Sequence, residues 1–113
     1  DADGIILGSP VFFGTVSAQA KAMIDRFQCR WIKRRSEEAT GRLIRGAFIC
    51  VAATHRQDFF RNARAVVRNF FATIGAAYVD ELFCGGMEQR GAALASQRCL
   101  DAASALGSRL VKQ

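Results

Sequence analysis

Two short loops hold most of the residues able to do chemistry. The first, Ser9, Pro10, Val11, Phe12, Phe13 and Gly14, follows the apolar run Gly4 to Leu7 and leads to Ser17, a side chain suited to cap a helix. Aromatics set among small residues can cover the face of a flat ligand, and backbone amides near a helix start can meet its polar edge. The second group, Thr54, His55 and Arg56, ends the apolar run Ala47 to Ala53. His55 is the single histidine of the chain, and an imidazole can relay protons near neutrality. Its plainer reading is a surface loop histidine, since no partner carboxylate supports the relay. Arg56 offers a planar fork for a phosphate, or a solvated loop charge. Cys84, directly before Gly85 and Gly86, is the thiol best placed to lie near a site.

The other thiols carry less. Cys29, Cys50, Cys84 and Cys99 are scattered, with no C-x-x-C pair and no neighbouring histidine, which argues against zinc or a clustered iron–sulfur site. No metal ligands are assigned. Reduced thiols in a cytoplasmic protein are expected, with Cys50 and Cys99 explained by packing. The net charge of +6 and pI near 9.8 admit an anionic partner. Arg26, Arg30, Lys33 and Arg34 share one helix face, however, and Arg61, Arg64 and Arg68 another, each opposite an apolar stripe. That is the layout of solvated helix faces, and no aromatic-interleaved platform or zinc finger accompanies it, so nucleic acid is not an expected partner. No apolar run approaches the roughly 18 residues needed to span a bilayer, so a membrane is not expected either.

Elements must position these loops. Ser17 starts a helix with Ala20, Met23, Ile24, Phe27 and Trp31 at helical spacing, and residues 36–45 form a polar surface connection. Ala47 to Ala53 reads as a second strand. Asp58 is the expected N-cap of a second helix, whose Phe59, Ala63, Val66, Val67, Phe70 and Ile74 keep the period down to Gly75. Ala77 to Phe83 reads as a third strand. A last helix, Ala92 to Lys112, turns Ala95, Cys99, Ala102, Ala103, Leu106 and Leu110 inward. Phe59, Phe70 and Phe71 are read as core. The alternation gives an α/β class, a single domain over residues 1–113 with parallel strands and flanking helices in a (βα)3 arrangement. Gly4 to Leu7 would lie unpaired along one side unless something precedes it.

Residues Ala2 to Arg26, ADGIILGSPVFFGTVSAQAKAMIDR, resemble the third strand, flavin loop and following helix of the flavodoxin-like superfamily, in its NADPH-dependent FMN reductase and iron-sulfur flavoprotein branch. Weaker likenesses are Ala47 to Ala53 and the segment from Gly91 to Leu110. The resemblance implies a flavodoxin-like parallel sheet of which this chain supplies strands three to five, as an N-terminally incomplete, carboxyl-terminal portion. It implies FMN as cofactor, NADPH or NADH as donor, hydride transfer through the flavin to a small-molecule acceptor, and a homodimer. Ser9, Pro10, Val11, Phe12, Phe13 and Gly14 would line the ring, with amides at Thr15 to Ser17 near its polar edge. Thr54, His55 and Arg56 would surround its far side, and no residue is assigned a catalytic proton transfer.

Two departures from the pattern stand out. The phosphate-cradling turn after the family's first strand has no counterpart here. Where relatives commonly carry a Gly-Gly pair after the fourth strand, this chain has Thr54, His55, Arg56, Gln57 and Asp58. The bulkier loop would either crowd the ring or supply new contacts to it. The alternative to an FMN-dependent oxidoreductase is a flavin-free α/β module with a structural or assembly role.

Overall fold

The structure is a computed structural model and describes residues 4–12, 14–27, 44–87 and 92–112. In chain order these form β1 (Gly4–Phe12), β2 (Thr15–Val16), α1 (Ala18–Asp25), β3 (Ile44–Val51), α2 (Gln57–Ile74), β4 (Ala76–Cys84), α3 (Ala92–Ala95) and α4 (Gln97–Lys112). The sheet order is β2-β1-β3-β4. β1, β3 and β4 run parallel and side by side, and β2 is antiparallel to the end of β1. This is a mixed α/β fold of the flavodoxin-like kind.

β1 extends beyond the expected Gly4 to Leu7. Gly8, Ser9 and Pro10 stay in register with Ile49, Cys50 and Val51, after which Val11 and Phe12 fold back onto Val16 and Thr15. The expected loop is therefore mostly strand. Pro10 lacks a backbone N–H, and it sits where the only neighbour on the described outer side, β2, has not yet begun.

Alternation along β3 sends Phe48 and Cys50 to one face and Ala47 and Ile49 to the other. On the first face Phe60, Ala63, Val67, Phe70 and Phe71 of α2 are buried against Phe48 and Cys50. Rings order this layer: Phe60 stacks on Phe83 at 4.8 Å and Phe27 meets Phe70 edge-on at 5.3 Å. Gly46 is needed for it, because a Cβ there would lie 2.5 Å from the Phe71 ring. On the second face α4 lays Leu106 and Leu110 against Ala47, with Ile49 and Leu82 beside them.

Several expectations change. The buried stripe of α2 uses Phe60 in place of Phe59, a shift of one residue that the adjacent aromatics conceal from periodicity. α2 begins at Gln57 with Arg56 in the N-cap position and no side-chain capping bond, so Asp58 is not the cap. It lies in the first turn, where its charge complements the helix dipole. The single last helix is two, broken at Ser96, whose Oγ accepts from the Cys99 amide at 3.4 Å as α4 starts. Ala95 is exposed. Ser17 does cap α1, its Oγ accepting from the Ala20 amide at 3.2 Å, and Gly75 ends α2 with φ 79°. Trp31, Cys29, Arg30, Lys33 and Arg34 lie outside the described residues.

The expectation of reduced thiols is also corrected for one pair. Cys84 and Cys99 form a disulfide, with Cα atoms 6.2 Å apart across 15 residues of sequence. The return of α4 across the end of β4 brings them together, a proximity that spacing does not reveal. Cys50 is a free, buried thiol whose pKa desolvation pushes up to about 12.

Candidate functional site at the carboxyl edge of the sheet

Because β1, β3 and β4 are parallel, the segments following all three gather at one edge of the sheet. The β1 segment is a tight hairpin. Phe12 pairs with Thr15, and Gly14 takes φ 79° in the turn between them. A Cβ on Gly14 would also meet the Phe59 ring at 3.2 Å, so backbone and packing both demand glycine. Ser9 is 5% exposed, and its hydroxyl accepts from the Ser17 amide at 3.0 Å while donating to the Pro10 carbonyl at 2.8 Å. One hydroxyl thus locks the end of β1 to the cap of α1. The Ser17 amide is therefore spent inside the protein.

The β3 segment is equally braced. Thr54 Oγ1 accepts from the Arg56 amide at 3.2 Å, making a short turn into α2. The Arg56 guanidinium binds Asp58 through both carboxylate oxygens, at 3.1 and 2.6 Å. Its Cζ also lies 4.0 Å from the centre of the Phe59 ring. The hydrogen bond holds the Asp58 carboxyl below its ordinary pKa and raises that of Arg56. Phe59 consequently touches both loops, with Gly14 against its ring and Arg56 over it.

His55 is exposed and faces the β4 segment. A Cβ on Gly85 would approach His55 Nδ1 and the Thr54 carbonyl at 2.8 Å each, and one on Gly86 would approach His55 Nε2 at 2.7 Å. The imidazole therefore lies along a bare stretch of backbone, and an open pocket is lined by Ala53, Thr54, His55, Arg56 and Gly86. The bulkier β3 loop finds its room in the glycine pair of the next loop. Two backbone bonds join the loops: the Ala52 amide to the Cys84 carbonyl at 2.9 Å, and the Met87 amide to the Ala52 carbonyl at 2.9 Å.

The expected residues thus fall in two neighbouring groups. Ser9, Pro10, Val11 and Gly14 belong to the β1 hairpin, with Pro10 exposed and Val11 half-buried, while Thr54, His55 and Arg56 follow β3. Phe12 is the last residue of β1, and Phe13 lies outside the described residues. Sequence reasoning missed Phe59, assigned to the core, and Gly85 and Gly86 as the seat of His55. The spacing of Arg56 and Asp58 was the available signal for their pairing. Among the described residues, no group of three or more His, Cys, Asp or Glu is placed to hold a metal ion. No described helix is long and apolar enough to cross a membrane.

FMN needs an apolar cover for its ring and directed polar groups at its edge. Among the described residues the β1 hairpin offers Pro10 and Val11 as apolar surface and the β3 turn offers Thr54 and His55 as polar groups, so the residue types present suit the ring. They fit the phosphate less well, since the fork of Arg56 is already filled by Asp58. Comparison with known proteins adds to this geometry. A stretch of 26 residues is 73% identical to an iron-sulfur flavoprotein of Methanocaldococcus jannaschii, covering 23% of this chain and 14% of that relative. Residues 1–89, which include both groups of the edge, match the sequence pattern of the NADPH-dependent FMN reductases, and by that match the chain belongs to their family.

Proposed function

We propose that the edge formed by Ser9–Gly14 and Thr54–Arg56 is the ring-binding side of an FMN site in an NAD(P)H-dependent oxidoreductase. The observation that carries this reading is the family match over residues 1–89. Bound FMN would supply a two-electron carrier between a nicotinamide donor and a small-molecule acceptor.

The chain's own residues would bind and orient. Ser9 fixes the hairpin by holding Ser17, so that Pro10 and Val11 present apolar surface at a constant position. Gly14 keeps the turn low enough for Phe59 to pack beneath it. Thr54 shapes the opposite wall, and His55 offers an imidazole nitrogen to a polar edge. Arg56, neutralised by Asp58 and laid on Phe59, is a positioning residue that ties the second loop to the first. With Ser17's amide engaged by Ser9, stabilisation of negative charge near the ring falls to the other amides at the start of α1. Holding donor and carrier in contact is the main source of rate in such a site. A homodimer completing the site, as the resemblance implies, belongs to the same reading.

The test is titration of FMN with the purified chain, following flavin fluorescence, visible absorbance and NADPH oxidation. Quenched fluorescence and a shifted absorbance band are expected, weakened in Phe59→Ala. Free-flavin spectra at saturating protein would overturn the reading and leave the flavin-free α/β module.

A further inference from the structure

The Cys84–Cys99 pair is not used by the proposed flavin chemistry, yet it occupies a commanding position. Cys84 is the last residue of β4, and the next two residues are the glycines on which the His55 ring lies. Its carbonyl also accepts from the Ala52 amide, at the end of β3. Cys99 lies in the first turn of α4, two residues after the helix begins, where helices fray most readily. The disulfide cross-links strand end to helix start, across a sequence separation of 15 residues that includes the break at Ser96.

We propose that Cys84 and Cys99 form a redox latch whose state sets the seat of His55 on Gly85 and Gly86. The partner is a dithiol–disulfide couple. An external dithiol opens the latch: one of its thiolates attacks a latch sulfur, the Cys84–Cys99 bond breaks, and the second thiol resolves the mixed disulfide. Two electrons and two protons pass to the cysteines, and the reductant leaves as its own disulfide. A disulfide such as oxidised glutathione closes the latch and departs as two thiols. Cys84 and Cys99 are 3% and 7% exposed, so attack follows opening of the first turn of α4, and exchange is slow. With the latch open, the 84–87 segment keeps its backbone bonds to Ala52 but loses its side-chain cross-link to α4.

This inference stands apart from flavin binding, and the single histidine makes it measurable. In a Cys29→Ser background, the chain equilibrated with oxidised glutathione and denatured without reductant should titrate one of its three thiols, rising to three after dithiothreitol. Adding Cys84→Ser/Cys99→Ser to that background should leave one thiol in both conditions. In the native protein, the His55 ring resonances should move on reduction by dithiothreitol, while circular dichroism shows that the fold persists. Three thiols in oxidised glutathione would overturn the latch. So would His55 resonances that stay in place on reduction, or loss of the whole fold, which would make the bond a structural staple.

Discussion

The face of the sheet under α2 buries Phe48, Phe60, Phe70 and Phe71, whereas the face under α4 buries Ala47, Leu106 and Leu110. Large rings stacked at 4.8 to 6.2 Å supply most of the burial on the first face, to which one ion pair between α2 and β4, Arg64 to Glu81 at 2.7 Å, is added. The second has smaller side chains and is tied at intervals along α4: Cys99 to Cys84, Arg109 to Asp80 at 2.7 Å, and Leu110 against Gly4. The difference bears on the candidate site. Its β1 and β3 loops meet over Phe59, which extends from the aromatic face, and its His55 corner ends on the tied face. One half of the site rests on ring packing and local hydrogen bonds, the other on a disulfide.

Substitutions should separate the two faces in order of size. Phe71→Ala, at a fully buried ring, should cost about 3 to 5 kcal/mol in urea unfolding, and a cost below that of Leu106→Ala would reverse the comparison. Cys99→Ser should cost about 3 kcal/mol by loop closure under oxidising conditions, with the difference vanishing in dithiothreitol. Persistence of the difference in reductant would assign the loss to packing. Gly85→Ala should cost about 1 to 3 kcal/mol by overpacking, and should shift His55 resonances because the imidazole must leave its seat.

The smallest effect concerns pH. The hydrogen bond from Arg109 holds the Asp80 carboxyl below its ordinary range, so the folded state binds its proton more weakly than the unfolded state. The contribution is then fully present above the unfolded value of about 4, and is lost as pH falls through the lower folded value. Asp80→Asn should flatten the acid side of a stability–pH curve and leave the neutral side little changed in slope. An unchanged acid slope would remove this tie from the account of the α4 face.

The carboxyl-edge site was legible to the extent that local chemistry decides it. A run such as Ala47 to Ala53 must be buried, a serine before an amphipathic segment caps it, and parallel strands send their following loops to one edge. Phe59 and Phe60 were not separable, because two adjacent rings satisfy one helical stripe almost equally until the sheet selects the phase. The disulfide was hidden for a similar reason, since 15 residues of separation say nothing about how α4 crosses β4.

By itself, then, the sequence determined the α/β alternation, the helix starts and stops at Ser17 and Gly75, the family, and which loops carry polar and aromatic groups. Those follow from short-range propensity and from hydrophobic period. Only the tertiary structure decided that Ser9 spends its hydroxyl on Ser17, that Phe59 joins two loops, that Arg56 is claimed by Asp58, and that Gly85 and Gly86 make room for His55. Each of these depends on where one element lies against another, and that is fixed by packing the two unequal faces of the sheet.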